Sequence, residues 1–139
     1  MENKQRAESR PVRISETSRK QRNGSEFVGA FGKKTGSSDL LFTEGLLPEQ
    51  DGTVARNEPP SRQLEICLEK LEAELNRYGK GLDNVLQLTL YLTDMDAYEE
   101  INETYEQFFD TTCPARTTVG VCELLGGAVV TVDGVIAIE

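Results

Sequence analysis

One short stretch constrains the fold of this chain more than any other: Val85–Leu92, which reads V-L-Q-L-T-L-Y-L. Successive side chains of a β-strand point to opposite faces of the sheet, so this pattern separates into two sets. One face consists of leucine alone: Leu86, Leu88, Leu90 and Leu92. The other face is mixed: Val85, Gln87, Thr89 and Tyr91. An all-leucine face needs apolar cover, and we therefore predict a strand with helices packed on one side.

A first helix is predicted after a Pro-Pro pair at residues 59 and 60, because apolar side chains then recur at three- and four-residue steps. Its apolar stripe consists of Leu64, Cys67, Leu68, Leu71, Leu75 and Tyr78. We expect Ser61 to be the N-cap and Gly79 to end the helix, since these residue types favour those positions.

A second helix is predicted to begin at Asp96, because Asp96 and Glu99 have the spacing of a capping box, although that motif is defined with Ser or Thr. The residues with helical spacing in this segment are mostly aromatic: Tyr98, Ile101, Tyr105, Phe108 and Phe109. We interpret this stripe as core packing against the sheet.

Short apolar runs between turn signals predict the remaining strands. A first strand is expected within residues 26–34, a buried strand at residues 40–43, and two closing strands at residues 116–122 and 128–138. The dipeptide Asp51-Gly52 is typical of a hairpin turn. The chain thus alternates strands, helix, strand, helix and strands, which favours an α+β fold with one sheet and both helices on one face. Small proteins often bury the other face of such a sheet against copies of themselves.

Charge divides the chain into two parts. Residues 1–34 carry nine Lys or Arg and four Glu, a net charge of +5, whereas the remaining residues carry six basic and twenty acidic side chains, a net charge of −14. We interpret residues 1–24 as a polar basic tail and residues 25–139 as one domain, in keeping with a length of 139 residues. The acidic domain argues against a nucleic-acid surface, and we interpret the basic stretch as a solvated tail, with an RNA contact as the alternative.

The composition excludes several kinds of catalytic site. Histidine is absent, which removes Ser-His-Asp and Cys-His catalysis and histidine-ligated metal. The three cysteines, Cys67, Cys113 and Cys122, have no metal-binding spacing, and we interpret all three as buried free thiols rather than nucleophiles. With no signal peptide and no apolar run near 18 residues, we expect a cytoplasmic protein that does not enter a membrane.

Arg116 is the only basic residue after Lys80, in a segment that holds eleven acidic residues. Two interpretations remain open. The guanidinium could form an ion pair with a carboxylate such as Glu103, Glu106 or Asp110, a weak and common surface interaction. It could instead act as a planar, permanently charged fork that binds a small carboxylate bidentately.

Two motifs in this region are specific when taken together. They are Asn-x-x-Tyr-x-x-Phe-Phe from Asn102 and Pro-Ala-Arg-x-x-Val at residues 114–119, accompanied by residues 93–95 and 41–48. In these motifs the chain resembles the Rid family, also called the YjgF or L-PSP family, of reactive-intermediate (imine/enamine) deaminases, over residues 26–138. The resemblance implies a chorismate-mutase-like α+β fold, assembled as a barrel-like homotrimer with ligand sites in clefts between subunits.

The resemblance also implies an activity: hydrolysis of 2-imino or enamine acids to 2-keto acids and ammonia, without a cofactor or metal. Arg116 would hold the substrate carboxylate. Backbone groups near Thr118 would contact the substrate, Gly45 would let the chain approach closely, and Asn102 would belong to the same binding site. Orientation and proton transfer can suffice for such a hydrolysis without a nucleophilic side chain.

Three positions depart from the family pattern. Phe31 stands at the family's active-site tyrosine, Glu44 at its serine, and Thr131 at its water-orienting glutamate; Asp133 lies two residues further along the same strand face. Glu44 is a candidate acid or base, while Phe31 and Thr131 would line the substrate site. The alternative is a non-catalytic trimeric protein that binds a small carboxylate. The family's older descriptions as a translation inhibitor or endoribonuclease give a third reading, against which the acidic domain argues.

Overall fold

A computed structural model describes residues 9–12, 32–35, 39–110 and 113–138 of the chain. Its two helices are α1 (Pro60–Arg77) and α2 (Tyr98–Phe108). Its strands, in chain order, are β1 (Ser9–Val12), β2 (Gly32–Thr35), β3 (Leu40–Phe42), β4 (Glu49–Gln50), β5 (Thr53–Val54), β6 (Val85–Leu92), β7 (Ala115–Gly120) and β8 (Val130–Ala137). Residues 26–31 of the predicted first strand, Phe31 among them, lie outside the described residues.

The main sheet has four strands in the order β3-β8-β6-β7. Strand β8 runs antiparallel to both β3 and β6. Strand β7 is parallel to β6, and the connection from β6 to β7 contains α2. Two antiparallel pairs, β1–β2 and β4–β5, accompany this sheet. The predicted α+β architecture, a mixed sheet with two helices, is therefore confirmed.

Strand β6 confirms the leucine face but corrects its start. Val85 pairs with Ile136 and Gln87 with Val135, so that Leu86 is an extra residue opposite no partner. This bulge shifts the alternation by one residue, because two residues of one strand then face one of the other. The fully buried side chains of β6 are accordingly Val85, Leu88, Leu90 and Leu92. The prediction that Leu86 belongs to the core face and Val85 to the other was wrong.

Both helices pack on this leucine face and form one core with it. Helix α1 contributes Leu64, Cys67, Leu68, Leu71 and Leu75, and α2 contributes Ile101 and Tyr105, with Phe109 following directly. Strand β8 adds Val130, Val132 and Ile136 from the same face of the sheet. The predicted apolar stripes are thus confirmed as core except at Tyr78, which is 54% exposed at the end of α1, and Tyr98, which is only half-buried.

The start of α1 differs from the prediction. Its N-cap is Pro59, and Ser61 lies inside the first turn, where its backbone N–H donates to Glu100 Oε2 of α2 at 3.1 Å. A proline at the first helical position needs no hydrogen-bond partner, and a carboxylate from the neighbouring helix complements the positive end of α1. The predicted end is confirmed, since Gly79 has φ +73° and its N–H donates to Asn76 O at 3.0 Å.

Helix α2 begins two residues later than predicted. A single 3₁₀ turn, Met95–Ala97, comes first, and Asp94 Oδ1 caps it by accepting the backbone N–H of Asp96 at 2.9 Å. The capping carboxylate is therefore Asp94 rather than Asp96. The prediction failed because both aspartates precede the aromatic stripe and either could fill the cap position.

Strand β3 was predicted correctly as a strand but wrongly as a buried one. It lies at the edge of the sheet. Its side chains on the face away from the helices, which we call the open face, are exposed: Leu40 by 45% and Phe42 by 69%. The hairpin turn between β4 and β5 is confirmed, because Asp51 and Gly52 both have positive φ, as a two-residue type I′ turn requires. Neither described helix is long and apolar enough to cross a lipid bilayer.

Candidate functional site

Arg116 lies on β7, at one edge of the sheet and on the face that the helices cover. Strands β6 and β7 pair in parallel with Arg116 opposite Leu88 and Thr118 opposite Leu90. Partners in such a ladder point to the same side, so Arg116 and Thr118 share the leucine face, whereas Thr117 points the other way. The guanidinium therefore lies beneath α2 at the border of the core.

Contacts to Thr118, Tyr105 and Tyr98 help to orient the Arg116 guanidinium. Its Nε donates to Thr118 Oγ1 at 3.0 Å, and its Cζ lies 4.5 Å from the centroid of the Tyr105 ring and 5.5 Å from that of Tyr98. The faces of tyrosine rings attract a guanidinium electrostatically. Both terminal nitrogens are shielded from solvent. An oriented, partly desolvated guanidinium binds a carboxylate more strongly than an exposed one does.

Asn102 lies between the two tyrosines that Arg116 contacts. Tyr98, Asn102 and Tyr105 are four and three residues apart on α2, which places them on one stripe of the helix. Asn102 is only 8% exposed, and its Oδ1 has no hydrogen-bond partner among the residues that the structure describes. A buried acceptor without a donor costs free energy. Here it provides a polar atom beside Arg116 that a ligand N–H could use.

Glu44 and Gly45 form a bulge at the opposite edge of the sheet. On one side the Thr43 N–H donates to Gly134 O at 2.9 Å, and on the other the Leu46 N–H donates to Val132 O at 2.6 Å. Two residues thus face the single residue Asp133 of β8. Glu44 is exposed, and a Cβ on Gly45 would meet no atom within 4 Å. The close approach expected at Gly45 is therefore not made within one chain.

Thr131 lies on the open face of the sheet, opposite Tyr91 of β6, and is 6% exposed. Asp133 shares this face, as its spacing predicted. Tyr91 Oη donates to Asp133 Oδ2 at 3.0 Å, and this hydrogen bond raises the pKa of Tyr91 above its ordinary value. Tyr91 was missed as a polar partner, although the sequence placed it on the mixed face of β6.

Among the described candidate residues, the structure thus places Arg116 and Thr118 together beneath the α2 stripe that carries Asn102, and places the others elsewhere. Glu44 and Gly45 follow β3, at the far edge of the sheet. Three inter-strand spacings of roughly 4.8 Å separate β3 from β7, a distance on the order of 14 Å. Thr131 points to the opposite face from Arg116, and Phe31 lies outside the described residues.

The cysteines differ from one another more than predicted. Cys67 and Cys113 are buried, as expected, and burial raises the pKa of the Cys67 thiol to about 12. Cys122 is exposed, so the interpretation of all three as buried was wrong; it lies just beyond β7, where the sheet no longer covers the chain. A thiol with a pKa near 12 is a poor nucleophile at neutral pH.

Comparisons with known proteins identify the family to which the chain belongs. A model of the family described as Endoribonuclease L-PSP matches residues 24–138. The RutC family protein y4sK of Sinorhizobium fredii is 35% identical over 112 residues, covering 80% of this chain and 89% of that protein. TdcF of Escherichia coli, a presumed reactive intermediate deaminase, is 28% identical over 100 residues, covering 70% of this chain and 78% of TdcF.

Solved structures share the same fold. The crystal structure of E. coli TdcF with bound serine matches with a TM-score of 0.67 and 25% identity, over 99% of this chain and 97% of that one. The E. coli YjgF structure matches with a TM-score of 0.67 and 23% identity, over 73% of this chain and 82% of that one. Together with the match over residues 24–138, these likenesses establish that the chain belongs to the L-PSP family, also known as the YjgF or Rid family.

Proposed function

We propose that the protein hydrolyses 2-imino or enamine acids to 2-keto acids and ammonia, with the substrate carboxylate held by Arg116. The observation that carries this proposal is the fixed guanidinium: Nε bound to Thr118 and the plane held against the rings of Tyr105 and Tyr98. A carboxylate on the terminal nitrogens of Arg116 would have its neighbouring C2 atom oriented before reaction. The family relationship to TdcF supports the same chemistry.

The reaction asks little of the protein beyond orientation and proton transfer. Water adds to the electrophilic C2 of the imine, the nitrogen takes up a proton, and the C–N bond breaks to release ammonia and leave the 2-keto acid. Holding the imine in one orientation removes much of the entropic barrier. No covalent intermediate is needed, which agrees with the absence of histidine and the high pKa of the buried thiol of Cys67.

Asn102 is the second binding residue in this proposal. Its Oδ1 is a buried acceptor without a partner among the described residues, next to the rings that hold Arg116. A 2-imino acid carries an N–H group one carbon from its carboxylate. Arg116 and Asn102 would therefore bind the two ends of the same short fragment, and the hydrogen bond to Oδ1 would satisfy that buried acceptor.

We further propose that the complete site forms between subunits of a homotrimer. Within one chain, Glu44 and Gly45 lie at the β3 edge and Arg116 at the β7 edge, with Thr131 on the other face. One chain alone cannot place all of them around one small substrate. A second copy whose β3 edge approaches Arg116 would do so, and it would cover the exposed Phe42 at the same time.

Glu44 is proposed as the acid or base of the assembled site. It stands on the bulge, where an irregular backbone can aim a side chain out of the sheet. Glu44→Gln keeps the shape of the side chain but removes the titratable proton, so we expect a lower kcat with a similar KM. Unchanged turnover in Glu44→Gln would exclude this role.

The first experiment is a coupled deaminase assay. An amino-acid oxidase generates 2-iminopropanoate or 2-iminobutanoate in situ, and trapping by semicarbazide competes with hydrolysis by the protein. We expect the wild type to suppress semicarbazone formation and Arg116→Ala to lose this effect. Arg77→Ala is the matched control, because Arg77 is an exposed arginine of α1 whose ion pair within the described part of the chain is with nearby Glu74 at 3.4 Å. Equal activity in Arg116→Ala and Arg77→Ala would refute the proposed anchor.

The alternative function is non-catalytic binding of a small carboxylate by the same trimer. The observation that favours it is Thr131, which stands where the family's water-orienting glutamate is expected and has no carboxylate to activate water. Calorimetric binding of 2-oxobutanoate that depends on Arg116, in a protein that does not hydrolyse the imine, would favour this alternative over the deaminase.

A further inference from the structure

The bulge at Glu44–Gly45 is anchored on both sides but not at its own residues. Thr43 is fixed to Gly134 twice, through its backbone N–H at 2.9 Å and through its Oγ1, which accepts the Gly134 N–H at 3.0 Å. On the other side, Leu46 pairs with Val132. Within the described residues, Glu44 and Gly45 themselves take part in no hydrogen bond. The position of the bulge therefore depends on Thr43 before it and on the segment that follows it.

Helix α1 holds that segment through two consecutive carbonyl groups. Cys67 Sγ donates to Leu46 O at 3.3 Å, with Val130 O as a more distant acceptor at 4.0 Å, and Lys70 Nζ donates to Leu47 O at 3.0 Å. Lys70 also pairs with Glu49 Oε1 at 3.2 Å. Cys67 and Lys70 are three residues apart and so lie on the same side of α1. Two side chains of one helix turn thus fix the chain directly after the bulge.

We propose that Cys67 and Lys70 are positioning residues, which hold the Glu44–Gly45 bulge in the place where it meets the substrate. This inference rests on the proposed function, in which Glu44 and Gly45 belong to the ligand site. Neither residue touches the substrate. They act through Leu46 and Leu47, whose carbonyls would otherwise be held only by single backbone hydrogen bonds from Val132 at 3.3 Å and Glu49 at 2.8 Å.

Burial alone does not account for this arrangement. Cys67 is 0% exposed, and an alanine would fill most of its space without donating a hydrogen bond. The ammonium of Lys70 bonds to a backbone carbonyl and to the carboxylate beside it. Lys70 thus provides a charged donor where a neutral donor would satisfy the carbonyl. Both side chains are donors directed at the same short segment.

The test compares amide hydrogen exchange in full-length variants without ligand. In Cys67→Ala and Lys70→Met, we expect the amides of Leu46 and Val132 to exchange about tenfold faster, because each variant removes one hydrogen bond from the segment. The amides of Leu88 and Leu90 in the core strand should be unchanged. Cys67→Ser and Lys70→Gln each retain a donor and should restore slow exchange, and Arg77→Met is the control from the same helix.

A second measurement connects the bulge to the ligand. We expect Cys67→Ala and Lys70→Met to weaken calorimetric binding of 2-oxobutanoate severalfold and to lower kcat/KM for the imine, with kcat falling too because Glu44 stands on the displaced bulge. The donor-retaining variants should restore both binding and turnover. Unchanged exchange at Leu46, or faster exchange that includes Leu88, would overturn the proposal. Faster exchange at Leu46 with unchanged 2-oxobutanoate affinity would overturn it as well. If the wild type itself neither binds nor hydrolyses, the proposed function fails, while the exchange data still decide whether α1 holds the bulge.

Discussion

The two faces of the main sheet differ in composition: one is apolar and buried, and the other is largely polar. On the helix-covered face, Leu88, Leu90 and Leu92 are buried in a single apolar core. On the open face, the same strand carries Gln87, Thr89 and Tyr91, and their polar groups bond to one another or to Asp133. Burial of these leucines on the covered face stabilises the fold. The open face is polar at its centre and apolar at the β3 edge, where Phe42 is 69% exposed.

The difference between the two faces limits where functional residues can lie in such a small domain. Arg116 is on the covered face but at its border, where β7 is the edge strand and α2 supplies aromatic rings rather than leucines. Thr131 and Asp133 are on the open face. A site that uses both faces needs a second copy of the chain, because a single sheet separates them. The following predictions test this division, in order of their expected effect on the stability of one chain.

The largest effect is expected for Leu88→Ala, on the covered face. Leu88 is fully buried, so the substitution leaves a cavity and should lower the free energy of unfolding by about 2–5 kcal/mol. Thr89→Ala, the neighbouring residue on the open face, should cost less than about 1 kcal/mol. Urea denaturation of the two variants provides the measurement. Similar losses in both would mean that the two faces are not distinct.

Gly134→Ala is expected to have the next largest effect. A Cβ at this position on the covered face would lie 2.6 Å from Leu88 Cδ2 and 2.7 Å from the Gln87 carbonyl oxygen. The backbone or Leu88 must move, at a cost of roughly 1–3 kcal/mol. Gly45→Ala is the control, since a Cβ there meets nothing within 4 Å. Thermal unfolding that ranks Gly45→Ala as the worse variant would contradict the placement of both glycines.

A smaller effect is expected for Tyr91→Phe, which removes the hydrogen bond to Asp133 from the open face and should cost about 0.5–1 kcal/mol at neutral pH. The hydrogen bond raises the pKa of Tyr91 in the folded state, so its contribution is present below the ordinary tyrosine pKa of about 10 and is lost as the pH rises through the folded-state value. The difference between wild type and Tyr91→Phe should therefore shrink in urea titrations at alkaline pH. A difference that grows with pH would reverse the assigned sign.

The smallest effect on the single chain is expected for Phe42→Ser, within about 0.5 kcal/mol, because this side chain is already exposed. Its effect on assembly should be large if a second copy covers the open face. Sedimentation equilibrium is expected to give three chain masses for the wild type and a lower mass for Phe42→Ser. Leu125→Ser, in a turn and 75% exposed, should leave the mass unchanged. A monomeric wild type would end the homotrimer proposal.

The elements of the fold could be predicted because their patterns are local. Alternation identified β6, three- and four-residue spacing identified both helices, and Asp51-Gly52 identified a hairpin. The bulge at Leu86 could not be predicted, since Val85 and Leu86 are both apolar and either phase of the alternation is plausible. The contact of Ser61 with Glu100 joins two helices across 39 residues, so no local sequence pattern predicts it.

The candidate site was predictable only in part. Arg116 was identifiable as an isolated positive charge from composition alone, whereas Asn102 was identifiable only through the family resemblance. The bulge at Glu44–Gly45 depends on which residues of β8 pair with Thr43 and Leu46, which only the folded sheet determines. The same is true of Tyr91 and Asp133, which are 42 residues apart in sequence.

Because two thiols are buried and the third is exposed, the native chain can be labelled selectively at one cysteine. Because Cys67 and Cys113 are enclosed and Cys122 is not, an alkylating reagent or fluorescent maleimide should modify the native protein at one position. That position lies two residues beyond the strand that carries Arg116. A single dye could thus follow subunit exchange without any engineered cysteine, while slow labelling of the other two thiols would record how often the core opens.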